Sequence, residues 1–214
     1  MPDSNADRPY VIGVTGTIGS GKSTVGKMLV EQGVAVIDTD LIVHELLNSH
    51  SATQKAVVER FGDGILDHEH TVSGKPSINR KALGAIVFHD EKARKDLEAI
   101  VHPGVILECR KRIAELKEKK IVAVLVPLLF EAGLQKEYDE IWTVLTRQPI
   151  LKERLAMRDK LSETAIAERL AAQWDQEKKA SLSKCTIDNS GSPDQTRKQI
   201  VTLLDKLRSR AATK

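Results

Sequence analysis

Five short apolar runs divide this chain. Residues 10–15, 34–37, 121–126, 140–145 and 185–187 are rich in Val and Ile and too short for helices. Such runs read as strands buried on both faces, the habit of a parallel sheet. After the first run, Val25, Met28 and Leu29 recur at helical spacing, and Gly33 offers a C-terminal cap. Strand, glycine-rich turn, helix, strand is a βαβ unit, so the pattern predicts an α/β fold. From residue 41 to about 120 the chain reads as several helices, a helical insertion between the second and third strands. Residues 62–77 interrupt it as a polar stretch punctuated by Gly62, Gly64 and Gly74, which predicts a loop. His102 precedes Pro103, and a residue before proline is kept out of helical geometry, so a helix break is predicted there. Pro127 stops the third strand. Residues 150–184 form a charged helical region, and 193–208 a final amphipathic helix.

Composition narrows the class. The 214 residues exceed one ~150-residue domain without reaching two, which suits one core with inserted parts. Hydrophobic residues at 41% and charged residues at 29% exclude a wholly disordered chain. The longest apolar run, 121–130, is too short to span a bilayer. The first eight residues are polar, unlike a signal peptide, so a cytoplasmic protein with no membrane partner is expected. Thirty-three basic against 30 acidic residues give a net charge of +3, too balanced for a nucleic-acid binder. Two Trp, two Tyr and three Phe are too few for stacking platforms on single strands. Cys109 and Cys185 lack CxxC spacing and read as reduced thiols.

The chemistry begins at Gly16-x4-Gly21-Lys22-Ser23, a P-loop pattern lying between a strand and a helix. Its glycines let backbone N–H groups turn toward phosphate oxygens, and the following helix adds the partial positive charge of its N-terminus. Lys22 suits the β- and γ-phosphates, and the Ser23 hydroxyl suits Mg²⁺. A dinucleotide fingerprint fails, because Thr24 stands where its third glycine belongs. A guanine-reading N-K-x-D segment is missing, which argues against a GTPase switch.

A kinase for a small metabolite fits better. Asp38 and Asp40 follow the second strand, at the carboxyl end of the sheet, where α/β ligands bind. On an extended backbone they face the same side, which suits a base for an acceptor hydroxyl beside a group holding the metal's water shell. The same residues also fit a helix cap. Arg154 and Arg158 share a helical face, with Arg147 and Arg169 flanking them. They fit either a phosphoryl clamp carried on a lid or a solvated face with surface ion pairs. The basic stretch around Arg110, Lys111 and Arg112 is interleaved with acids and reads as a solvated face, and His68-x-His70 lacks a third ligand for a metal.

Taken together, the motifs resemble the dephospho-CoA kinase family over residues 11–191. The marks are residues 13–24, Val36-Ile-Asp-Thr-Asp40, residues 78–83 with Phe88, Leu97-Glu-Ala-Ile-Val-His-Pro103, Val126-Pro-Leu-Leu-Phe-Glu131, Arg154 with Arg158-Asp159, Gln173, and Ile187-Asp-Asn-Ser-Gly191. The resemblance implies a P-loop NTPase fold, three-layer α/β/α with a five-stranded parallel sheet, a helical substrate-binding insertion and a helical lid. It implies a nucleotide-binding core of residues 9–40, 121–149 and 180–214, an acceptor-binding insertion of 41–120 and a lid of 150–179. The implied reaction moves the γ-phosphoryl of ATP, with Mg²⁺, to the ribose 3′-hydroxyl of dephospho-CoA, the last step of coenzyme A synthesis. Asp40, Lys22 and Arg158 would be catalytic. Thr17, Ile18, Gly19, Ser20, Gly21, Lys22, Ser23, Thr24 and Asn189 would bind ATP. Asp38, His44, Arg80, His102, Leu128 and Glu131 would bind the acceptor, and Arg154 and Arg158 would arm the lid. Three departures stand out. His44 replaces a family arginine, Thr17 replaces a second P-loop glycine, and Val126-Pro127 stand where a metal-holding acid often ends the strand. The rival readings are a P-loop kinase acting on a nucleoside, sugar or shikimate-type acceptor, and a nucleotide-binding module without catalysis.

Overall fold

The computed structural model describes residues 8–48, 51–72, 75–159 and 162–212, with the side chains of 70, 72, 75, 88, 89, 158, 159, 211 and 212 also outside the description. Contacts divide the chain into two compact units, residues 1–37 with 116–214, and residues 38–115.

The first unit is built on strands β1 (Tyr10–Thr15), β2 (Ala35–Asp38), β5 (Ile121–Leu125), β6 (Glu140–Leu145) and β7 (Cys185–Asp188) in the order β2-β5-β1-β6-β7. This is the five-stranded parallel sheet the sequence pattern predicts. The register sets Val14 beside Leu125 and Trp142, and Val144 beside Ile187. Side chains alternate between faces along each strand. Ile12, Val14, Ala123, Leu125, Trp142 and Val144 point to one face, where α1 (Lys22–Glu31) brings Val25, Met28 and Leu29 and α9 (Pro193–Ala212) brings Ile200, Leu204 and Leu207. The opposite face shows its neighbours through Gly13 and Thr143. A Cβ at Gly13 would fall 2.7 Å from Leu129 and 2.8 Å from Tyr138, and Thr143 Oγ1 donates to the Lys179 carbonyl in α8 (Gln176–Ser181) at 3.3 Å. Helices and loops therefore cover both faces, which is why the strands read as continuous apolar runs.

The amino edge of the sheet carries a different chemistry. Buried Glu140 accepts from Trp142 Nε1 at 2.8 Å and from the Tyr10 hydroxyl at 3.2 Å. Burial first, and then the Glu140 charge, push the Tyr10 hydroxyl up to about 12. Two further helices, α6 (Gln148–Asp159) and α7 (Glu163–Ala171), pack together through Leu151, Leu155 and Ile166.

The second unit holds α2 (Thr39–Asn48), α3 (Ala52–Phe61), strands β3 (Leu66–Val72) and β4 (Lys75–Ile78), α4 (Arg80–His89) and α5 (Glu91–Glu115). It differs from the sequence expectation in two places. The polar stretch at 62–77 forms an antiparallel hairpin, β3 with β4, in which Leu66 pairs with Ile78. Its strands are mostly polar and Pro76 lies within one, so no hydrophobic alternation announces them. The helix also does not break at His102-Pro103, because α5 runs through Pro103. Pro103 removes one hydrogen bond and costs roughly 3 kcal/mol. More than three turns on each side, packed on α2, α3 and α4, outweigh it. Gly104 lets that packing close, since a Cβ there would lie 2.5 Å from Thr53 Oγ1 and 3.3 Å from Leu46. Arg112 pairs with Glu108 at 2.9 Å and with Glu45 of α2, so this part of the basic stretch joins helices rather than facing solvent. No helix among the described residues is long and apolar enough to cross a membrane.

Candidate active site

The P-loop grows from the carboxyl end of β1. Gly16, Gly19 and Gly21 have φ of 152°, 82° and 91°. Two of them are required by their surroundings as well as by their torsions. A Cβ at Gly16 would lie 2.6 Å from both Ser20 Oγ and the Val144 carbonyl, and one at Gly21 would overlap Asn189 Nδ2. Gly21 caps α1 in the left-handed region, with no side-chain cap and no acid in the first turn. The helix thus begins with its N–H groups and positive partial charge uncompensated by a carboxylate, the polarity a phosphate needs. The turn closes through Ser20 N–H to the Thr17 carbonyl at 3.1 Å. Lys22 arches back, its ammonium donating to the carbonyls of Gly16 at 2.8 Å and Thr17 at 3.2 Å. Thr17 Oγ1 and Ser20 Oγ are buried with no hydrogen-bond partner among the described residues. Ser23 and Thr24 are exposed at the start of α1.

The loop is held from outside at several points. The Ser20 carbonyl accepts from Thr146 Oγ1 and Asn189 Nδ2, each at 2.9 Å. Asn189 Oδ1 accepts from Thr196 Oγ1 at 3.1 Å, so its amide is committed to the protein at both ends. Asn189 therefore supports the P-loop from beneath, which sequence reasoning did not anticipate. The neighbouring Asp188 carboxyl is held below the usual carboxylate range, chiefly by its hydrogen bonds with Ser190. The Ile18 N–H donates to Gln173 Oε1 at 2.9 Å, and Ile18 packs on the Leu151–Leu155–Ile166 cluster. Gly19 lies close under Leu155, to which a Cβ would stand at 3.0 Å. Arg154 donates to the Asn189 carbonyl at 3.0 Å. Arg158 follows one turn later in α6, with its side chain outside the described residues.

The other expected residues divide between the units. Leu128 and Glu131 lie just past β5 in the first unit, Leu128 half-buried. The Glu131 carboxylate is taken up by Lys179 and the Trp174 N–H, each at 2.9 Å. Asp38, Asp40, His44, Arg80 and His102 belong to the second unit. Asp38 does not continue an extended run to Asp40, because α2 begins at Thr39. Its Oδ1 accepts from the Asp40 N–H at 2.9 Å, the bond of a helix cap. Asp40 occupies the first turn of α2, exposed, and His44 is exposed one turn later. Arg80 starts α4 and is exposed, whereas His102 is half-buried in α5.

No group of three His, Cys, Asp or Glu among the described residues is arranged to hold a metal ion. The exposed Ser23 hydroxyl at the start of α1 is a hard oxygen donor that fits Mg²⁺ in the manner of P-loop proteins, where substrate phosphates complete the coordination. Sequence reasoning missed Thr146, Gln176 and Lys179. Each sits in a stretch whose composition signals only polarity, and their partners are distant in the chain.

Comparison with known proteins fits this geometry. A family model described as dephospho-CoA kinase matches residues 10–195. A dephospho-CoA kinase of Symbiobacterium thermophilum is 42% identical over 89% of this chain and 78% of its own length. One from Geobacter sulfurreducens is 40% identical over 89% of this chain and 94% of its own. The solved structure of dephospho-CoA kinase from Campylobacter jejuni, 28% identical, covers 92% of this chain and 97% of its own, with a TM-score of 0.60.

Proposed function

The chain belongs to the dephospho-CoA kinase family, and from that premise we propose how its residues divide the reaction. ATP gives its γ-phosphoryl to the ribose 3′-hydroxyl of dephospho-CoA. The observation that carries the assignment of roles is Lys22, resting on two main-chain carbonyls that a nucleotide phosphate can replace as its partner. The P-loop from Thr17 to Thr24 takes the triphosphate. Lys22 turns to the β- and γ-oxygens, where its charge matches the charge that spreads during transfer. Arg154 and Arg158, one turn apart on α6, add to that stabilisation. Ser23 would hold Mg²⁺ together with the phosphates. When bound, the ion neutralises phosphate charge and orients the γ-phosphoryl. Asp40, exposed in the first turn of α2, takes the proton of the attacking hydroxyl. Asp38 serves by fixing the start of that helix. His44, Arg80 and His102 of the second unit receive the acceptor, and Leu128 of the first unit contributes to its binding. The segment at Asn189 lines the adenine, while the Asn189 side chain braces the Ser20 carbonyl.

Small-molecule partners, rather than nucleic acid or membrane, follow from the balanced charge. Two free cysteines support a cytoplasmic setting. The reading is tested by the position of the new phosphate. Phosphorus NMR of the product should show one new phosphomonoester, on the ribose 3′-oxygen. A phosphate at the 2′-position, or an extended phosphate chain, would contradict the assignment.

A further inference from the structure

Lys179 is wholly buried in α8, a costly place for an ammonium unless it is paired. It donates to Glu131 Oε1 and to the Pro127 carbonyl, each at 2.9 Å. The same Pro127 carbonyl accepts from Thr15 Oγ1 at 3.2 Å, and Thr15 is the residue before Gly16. The same Glu131 Oε1 accepts from the Trp174 N–H at 2.9 Å, and Trp174 follows Gln173, the acceptor for the Ile18 N–H. One turn before Lys179, on the same side of α8, Gln176 brackets the Thr146 backbone, accepting from its N–H at 2.7 Å and donating to its carbonyl at 2.9 Å. Thr146 in turn donates to the Ser20 carbonyl. Thr15, Ile18 and Ser20 are thus all tied, at one remove, to α8 and the turn that leads into it.

We propose that Lys179 and Glu131 are positioning residues for ATP, a buried ion pair that fixes the P-loop by anchoring the root of the lid. The pair leaves Glu131 Oε2 buried without a partner. An orphaned carboxylate oxygen disfavours folding, so stability alone is a poor reason for this arrangement. It occupies the end of β5, where Val126-Pro127 provide no acid for a metal, and it places a cation on the Pro127 carbonyl there instead. This role differs from the acceptor contact that the family resemblance implies for Glu131. One oxygen of its carboxylate is taken by Lys179 and the Trp174 N–H, and the other is buried from solvent.

The inference rests on the kinase reading, so its test is kept independent of the acceptor. Mg·ATP binding is measured by calorimetry for Lys179→Met, Glu131→Gln and the double variant, beside melting temperature and the KM for dephospho-CoA. Either single change leaves a buried charge or polar group unpaired and lowers the melting temperature. Each also weakens Mg·ATP by about tenfold or more, the scale of a small misplacement of binding groups. The KM for dephospho-CoA stays within about twofold of wild type, as expected when only the nucleotide's anchors move. The double variant removes both charges. It regains most of the melting temperature while Mg·ATP stays weak, because nothing draws the Pro127 carbonyl and Trp174 together. It is also the variant that decides the matter should a single change prevent folding. Wild-type Mg·ATP affinity in the folded double variant overturns the proposal. So does a raised KM for dephospho-CoA with unchanged Mg·ATP affinity, which would return Glu131 to the acceptor. If instead the wild-type protein binds Mg·ATP and shows no turnover with dephospho-CoA, the kinase reading fails and the anchoring result still stands on its own.

Discussion

Asp40→Asn lowers kcat by at least ~10²-fold, the scale for losing a positioned base, and leaves the KM for ATP within about twofold. The substitution keeps the size and shape of the side chain and removes its basicity. Asp40 lies in the first turn of α2, and its backbone N–H is held by Asp38 Oδ1, a bond that the substitution does not touch. A role confined to starting the helix would show as a lowered melting temperature, since a carboxylate near a helix N-terminus contributes only about 0.3–1 kcal/mol through the dipole. Steady-state kinetics with both substrates varied separates the two. Full activity in the variant would remove Asp40 as base and leave the helix-start role.

Lys22→Ala abolishes transfer and weakens ATP binding, with kcat/KM down by at least ~10³-fold, as when a donor to transition-state charge is lost. Alanine is the best helix former, so the start of α1 does not suffer from the change itself. What disappears is a cation stationed on the carbonyls of Gly16 and Thr17, within the turn that would receive the phosphates. The neighbouring Thr17 and Ser20 hydroxyls, buried and without protein partners, cannot replace it, because they supply no charge. Turnover near the wild-type level would contradict the P-loop assignment.

The parts of this protein legible in its sequence are those whose physics is local. Residues 10–15 announce a two-sided buried strand by composition alone, and Gly16, Gly21, Lys22 and Ser23 announce a phosphate turn by spacing. The family resemblance then supplies the reaction. The parts that were not legible depend on partners far away in the chain. The hairpin of β3 and β4 is mostly polar, so its period carries no clear hydrophobic signal. Pro103 looks like a helix end, because the helices packed on α5 cannot be seen from seven local residues. Lys179 resembles any lysine of a charged helix until Glu131, 48 positions earlier, is found against it. The family motif marks Asn189 only as part of a segment expected to line the adenine. Its use as a brace beneath Ser20 appears only with the Thr196 and Ser20 contacts. An extended chain would set Asp38 and Asp40 as a pair on one face. The helix begins at Thr39, two residues earlier than that pairing needs, so Asp38 accepts from the Asp40 N–H instead.

ADP release shows whether ATP gives its phosphoryl group to dephospho-CoA. Release from Mg·ATP is measured with no acceptor, and then with dephospho-CoA, adenosine or shikimate. The account predicts release that appears only with dephospho-CoA. Release driven by adenosine or shikimate instead, or no acceptor-dependent release at all, would contradict it.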